Sequence, residues 1–240
     1  MSLKAGFPLY ENFDSLDVLG PLQTFFYAGV DCYLLAEDSG DVQSLEGVSI
    51  KPRTVFEDSP QLDILFVPGG SDFSSVLDEG PRGDNTYLDF LGRQAEKATL
   101  VCSVCTGALL LGAAGLLDGH TVTTHWAFKD VLRLFPCTVV DDYRRYVQSG
   151  NRITGAGISS GLDQALYIVS VLQGVQTARR GQLSMQYHPQ PLLHYGDPSD
   201  ADERDEPGLP DQIRSDWQVA ATLQQFQKWI AGRNAPSSAL

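Results

Sequence analysis

The chain has 240 residues, with 17 Lys and Arg against 30 Asp and Glu, a formal charge of −13 and a pI near 4.5. With 42% hydrophobic and 10% aromatic residues it reads as one large globular domain, and disorder as its main state is excluded. The negative surface repels phosphate backbones and anionic headgroups, which argues against nucleic-acid and membrane partners. The longest apolar run, Ala108 to Leu117, is broken by Gly112 and Gly115 and falls far short of the ~18 residues that span a bilayer. Cys32, Cys102, Cys105 and Cys137 need not be bridged in a core of this size, and Met1 to Gly6 has no signal-peptide character, so a cytoplasmic protein is expected.

In chain order, Leu3 to Leu9 predicts a first strand and Phe13 to Tyr27 a helix, with Asp14 and Ser15 as cap candidates and Asp17 near the junction. Cys32 to Ala36 predicts a second strand and Val48 to Val55 a β-rich excursion. Leu62 to Val67 predicts a buried strand that stops at Pro68-Gly69-Gly70. A helix from Tyr87 to Ala98 comes next, then a strand from Leu100 to Val104 running directly into a helix from Thr106 that ends near Gly115. A helix from Trp126 to Leu134, short strands near Val139, Tyr146 and Ile153, and a helix from Ser160 to Gln173 complete the pattern. Alternating strands and helices imply an α/β fold with a mostly parallel central sheet and helices on both faces.

Between Asp197 and Asp211, seven acids stand against Arg204, with Pro198, Pro207 and Pro210 among them; this stretch is expected to run extended over the surface. Beyond it, Trp217, Ala220, Leu223, Phe226 and Ile230 recur at helical spacing. The expected organisation is an α/β domain over 1–198, followed over 199–240 by an acidic linker and a helix docked on the domain or on a second subunit. No internal repeat is found.

The chemistry is expected at Cys105. In an open α/β sheet ligands bind outside the carboxyl ends of the strands, and a residue at a tight strand-to-helix turn projects there. A helix N-terminus favours a thiolate and offers N–H groups to developing negative charge, and Gly107 leaves room for a ligand near the backbone. Taken alone, Cys105 is equally a small buried hydrophobe. A redox pair with Cys102 has the right spacing, but Cys102 falls inside the strand, where a working pair needs its first cysteine exposed. Asp17 is equally a plain helix cap, Thr106 a first-turn residue and Gly69-Gly70 a turn. His125, before Trp126 at a helix start, is a further catalytic candidate or a structural group. His188 and His194 show no metal-ligand spacing, and no metal site is expected.

Several segments together resemble the ThiJ/PfpI superfamily of class I glutamine amidotransferase-like proteins. They are Ile64 to Gly70, Ser103-Val104-Cys105-Thr106-Gly107-Ala108, Ala114 to Gly119 leading to Thr123-Thr124-His125-Trp126, and Thr154 to Asp163. The resemblance runs from about Lys4 to Pro198 and points to the isonitrile hydratase branch. It implies a flavodoxin-like sandwich, a homodimer, and a nucleophile elbow at Cys105 assisted by Asp17 and Thr106, with Gly69, Gly70 and Ile158 around the substrate. It also implies cofactor-free hydration of a small apolar isonitrile to an N-substituted formamide through a thioimidate on Cys105. The glyoxalase-like and deglycase-like branches tend to carry histidine immediately after the cysteine, where this chain has Thr106. Similar domains form the ligand-sensing half of AraC-type regulators, so a stand-alone ligand or redox sensor is the alternative from another class. Ala156 stands where the hydratases are expected to have glycine.

Overall fold

The computed structural model describes residues 2–77, 86–193, 195–200 and 206–234. Its frame is a seven-stranded sheet. The strands are β1 (Lys4–Pro8), β2 (Asp31–Ala36), β5 (Thr54–Val55), β6 (Ile64–Val67), β7 (Leu100–Ser103), β10 (Tyr146–Ser149) and β11 (Arg152–Gly155), in the spatial order β10-β11-β7-β6-β1-β2-β5. Every pairing is parallel except that of β10 with β11. The short pairs β3 (Val42–Gln43) with β4 (Ser49–Ile50) and β8 (Thr121–Val122) with β9 (Thr138–Val139) lie outside it.

Helices α1 (Ser15–Tyr27), α6 (Ser160–Gln173) and α7 (Val175–Ser184) pack together, whereas α3 (Thr86–Ala95) packs with the short α2 (Ser74–Leu77) and with α4 (Gly107–Ala113), and α4 also contacts α5 (Lys129–Leu132). The topology explains the two groups. From β1 the chain steps one way along the sheet to β2, and from β6 it steps the opposite way to β7. Right-handed crossovers in opposite directions put their helices on opposite faces. The direction reverses between β1 and β6, and a crevice for ligands opens at such a switch point. Phe7 from β1, Phe25 from α1 and Phe66 from β6 form one aromatic core cluster, with ring centroids 5.4 to 6.1 Å apart.

The sequence reading is corrected in four places. The helix expected over Trp126 to Leu134 is a 3₁₀ turn (Trp126–Phe128) followed by α5. Helix α7, for which no apolar stripe called, enters at Gly174, whose φ of 88° is accessible to glycine. The acidic segment is not extended to its end, because α8 (Leu209–Asp216) starts inside it, with Gly208 left-handed and Pro210 in its first turn, where proline's fixed φ suits a helix. Trp217 ends α8 and precedes the last helix, α9 (Val219–Asn234). That helix packs against α5 and buries Phe226 completely between Phe73 and Phe135. Residues 202, 203 and 205 of the acidic run, and His194, lie outside the described residues. No helix among the described residues is long and apolar enough to cross a membrane.

Candidate active site

Cys105 stands between the end of β7 and the start of α4, with φ +54°. A left-handed conformation is unfavourable by about 1–2 kcal/mol for a residue with a Cβ, so the surrounding contacts must impose it. They are visible on both sides: the Cys105 N–H donates to the Ala156 carbonyl at 2.7 Å, and the Thr124 hydroxyl donates to the Cys105 carbonyl at 2.8 Å. On the sheet side the Val104 N–H donates to the Val67 carbonyl. A Cβ on Gly107 would overlap that same carbonyl, so this glycine serves the closure of the elbow onto β6, not the approach of a ligand.

Asp17 and the elbow meet at the turn after β6. Asp14, with its N–H on the Gly69 carbonyl, occupies the N-cap of α1, where Oδ1 accepts the Leu16 N–H at 3.1 Å. That leaves Asp17, less than one turn on, free of capping and pointing inward, fully buried. Its Oδ2 accepts the Gly69 N–H at 2.8 Å, and its Oδ1 has no protein partner. Thr106 is tied to the neighbouring residue twice: its hydroxyl donates to the Gly70 carbonyl at 2.7 Å and accepts the Gly70 N–H at 2.9 Å. The N–H groups of Gly69 and Gly70 are thus both engaged, one by the acid and one by the threonine.

Gly69 is the contact between acid and nucleophile. A Cβ there would stand 2.7 Å from the Thr106 nitrogen and 2.8 Å from the Cys105 Cβ, both far too close. Gly69→Ala is accordingly expected to destabilise the fold by about 1–3 kcal/mol, because backbone must move to admit the methyl group. A urea unfolding midpoint unchanged from the wild type would refute this.

The electrostatics differ from those expected at a helix N-terminus. Cys105 is only 1% exposed, and burial, then the charges of Asp17 and Asp14, push its thiol well above the usual range; the Thr106 N–H and hydroxyl pull weakly the other way. The thiolate expected at a helix N-terminus is thus corrected: the thiol is buried and its pKa is raised, because desolvation and two carboxylates outweigh one turn of helix dipole. Burial and then Asp14 also raise the Asp17 carboxyl well above the carboxylate range, against the Gly69 N–H. Asp14 itself is raised to about 6, by burial first and then by Glu46, whose carboxylate oxygens accept the Ser15 N–H. Tyr10, whose hydroxyl donates to the Pro68 carbonyl at 3.4 Å, also stands against this cluster.

His125 stands apart from the acid. Its Nδ1 accepts the Ala127 N–H at 3.3 Å, so the neutral ring carries its proton on Nε2, and burial lowers its pKa to about 4. The ring stacks on Trp217 at 4.8 Å and leaves no room for a Cβ on Gly157. It acts here as the cap of the 3₁₀ turn. With Thr124, Ala156 and Ile158 it borders a cavity of about 870 Å³ beside the elbow. Of the remaining cysteines, Cys102 is buried inside β7, and burial raises all three thiols, Cys32 to about 12 and Cys137 to about 11. Among the described residues no group of three or more His, Cys, Asp or Glu is arranged to hold a metal.

Asp14, Glu46, Tyr10 and Thr124 are the site residues the sequence reading did not single out. The Asp14-x-x-Asp17 spacing was a signal, since only one of two acids there can cap the helix. Thr124 lay within a segment already prominent for its Thr-Thr-His-Trp run.

A doubly wound, flavodoxin-like sheet with a cysteine at a left-handed strand-to-helix elbow, beside a buried acid at the switch point, defines the class of protein. The sequence profile of the DJ-1/PfpI family matches residues 3–171. The chain belongs to that family. It is 42% identical over 202 residues to the isonitrile hydratase of Pseudomonas putida, covering 84% of this chain and 86% of the relative. It is 28% identical over 173 residues to the HTH-type transcriptional regulator GbdR of Pseudomonas aeruginosa, of whose length the match spans 45%. Among solved structures, a ThiJ/PfpI family protein from Pseudomonas syringae superposes with a TM-score of 0.82 at 32% identity, over 93% of this chain and 90% of that one.

Proposed function

We propose that the protein hydrates isonitriles to N-substituted formamides, with Cys105 as nucleophile, Asp17 as the proton carrier and Thr106 as a positioning residue. The observation that carries this reading is the meeting of Cys105 and Asp17 across Gly69, which holds the acid by its N–H and packs on the cysteine's Cβ. The 42% identity to a hydratase along most of both chains supports the substrate class.

The terminal carbon of R–N≡C is electrophilic. The Cys105 sulfur bonds to it as the thiol proton passes to Asp17, and Asp17 hands that proton to the same carbon, leaving the thioimidate R–N=CH–S–Cys105. Water then adds across the C=N bond, its oxygen to carbon and a proton to nitrogen, with Asp17 as base and acid in turn. Collapse of the resulting R–NH–CH(OH)–S–Cys105 breaks the C–S bond, returns a proton to sulfur and releases R–NH–CHO. Each proton moves within the site, and the sum is R–N≡C plus water. A carboxyl whose pKa is raised by burial suits both directions of transfer. The Thr106 N–H, which favours charge on the sulfur, assists the thiolate at attack and departure. This chemistry needs no metal or organic cofactor.

Further parts of the reading are a homodimer, for which the exposed Leu16, Leu19 and Phe26 on α1 offer an apolar face, and residence in the cytoplasm, which four unbridged cysteines suit. The α/β domain over 1–198 carries the chemistry, with 199–240 as an appendage docked through Phe226. Purified protein offered alkyl and aryl isonitriles is expected to produce the matching formamides, measured by chromatography, and to leave methylglyoxal unchanged. Consumption of methylglyoxal alone would move the assignment to a glyoxalase-like activity, and inertness to both would leave a ligand sensor.

A further inference from the structure

The cavity beside the elbow is far larger than an isonitrile group requires. Its volume of about 870 Å³ lies toward the upper end of ordinary ligand sites, whereas the reacting group is a rod of two atoms. The near wall is the nucleophile's own scaffold: the cavity-lining Thr124 and Ala156 are the two residues hydrogen-bonded to the Cys105 backbone, at 2.8 and 2.7 Å. Ile158, Leu162 and Trp126 give that wall an apolar surface.

The opposite wall comes from elsewhere in the chain. Tyr187, Pro189, Gln190 and Pro191, then Gly196 to Pro198, line it, and all lie beyond residues 3–171 matched by the family profile. The Asp163 carboxylate ties the two walls together. Asp163, in the first turn of α6, accepts the Tyr187 hydroxyl on Oδ1 at 2.8 Å and the Arg145 Nε on Oδ2 at 2.8 Å. Arg145 in turn donates to the Ser159 hydroxyl at 3.0 Å, on the loop that carries Ala156. Burial and the Asp163 hydrogen bond push the Tyr187 phenol up to about 12, so it remains a donor throughout the working range. Prolines at 189 and 191 restrict the backbone of this wall.

We infer that the wall formed by Tyr187 to Pro191 and Gly196 to Pro198 receives the substituent of the isonitrile, and that it selects large apolar, aryl-type substituents over short alkyl ones. The inference rests on the hydratase reading of the Cys105 site. Gln190 faces the cavity and is otherwise exposed, so enlarging it fills the chamber without disturbing the core. Tyr187→Phe removes the phenol's hydrogen bond to Asp163 and keeps the ring.

The test is kcat/KM of the full chain for isonitriles running from a short alkyl to a bicyclic aryl substituent, beside Gln190→Trp and Tyr187→Phe. Titration with the corresponding N-substituted formamides gives binding independently of turnover. The wild type is expected to favour the bicyclic substrate at least ~10-fold. Gln190→Trp should lower the ratio of kcat/KM for the bicyclic over the short alkyl substrate at least ~10-fold, and Tyr187→Phe should raise KM for the bulky substrate more than for the short alkyl one. Equal losses on every substrate, or none on any, would overturn the inference, as would a wild type indifferent to size. Size-graded formamide binding without isonitrile turnover would uphold the wall and sink the hydratase reading; absence of both would end both.

Discussion

Cys105→Ala is expected to lower kcat/KM for any isonitrile the protein hydrates by about 10⁴-fold or more, with folding stability within about 1 kcal/mol of the wild type. The size of the loss follows from the reaction: without the sulfur no thioimidate forms. Thr106 is no substitute, because its hydroxyl is committed to both backbone groups of Gly70. Stability changes little because alanine keeps the Cβ and meets the same left-handed φ of +54° as cysteine. Cys105→Ser should fare almost as badly, since a site that already resists charge on sulfur resists it far more on an alkoxide. Intact-mass measurement during turnover should detect a wild-type adduct heavier by one isonitrile and absent from the alanine variant. Residual turnover by Cys105→Ala above about one per cent would exclude a covalent route through this residue.

The parts of this arrangement that local sequence encodes were legible. The apolar run of β6 stopping at Pro68-Gly69-Gly70, and the run of β7 passing directly through Cys105 into α4, declared two parallel strands and an elbow. Helix α6 has the bounds its amphipathic pattern predicts. Effects that arise at long range were not legible. The Asp17 carboxyl is held by an N–H 52 residues away, and a helix-start aspartate looks the same in sequence whether it caps or points inward. The thiol pKa was misjudged for the same reason: the dipole of α4 is a local feature, whereas the desolvation and the charges of Asp17 and Asp14 exist only after the sheet has assembled. Helix α8 was hidden by composition, its acids and prolines reading as a solvated linker although Pro210 falls where a helix begins.

Asp17→Asn is expected to separate nucleophilicity from turnover. Removing this charge lowers the Cys105 thiol, because Asp17 is the largest of the charges that raise it, so alkylation by iodoacetamide at pH 7 should become faster. Hydration should nevertheless fall by about 10²–10⁴-fold, since the amide cannot take the thiol proton or deliver one to the terminal carbon. A structural role alone predicts that both rates move together. Asp14→Asn is the control: it also lowers the thiol but leaves the proton carrier, so it should accelerate alkylation without the loss of hydration. The pH dependence of stability carries the same signature. Carboxyls raised in the folded state bind protons more tightly there than in the unfolded chain, so their stabilisation is complete below about 3.8 and is lost as pH rises through their folded values. For Asp14 that loss runs to about 6. Asp17, raised further by complete burial, extends it upward, and the asparagine variant should therefore lose less stability than the wild type between pH 4.5 and 7.5 in urea unfolding. If Asp17→Asn alkylates more slowly than wild type, or keeps full hydration, Asp17 is not the group that moves the proton.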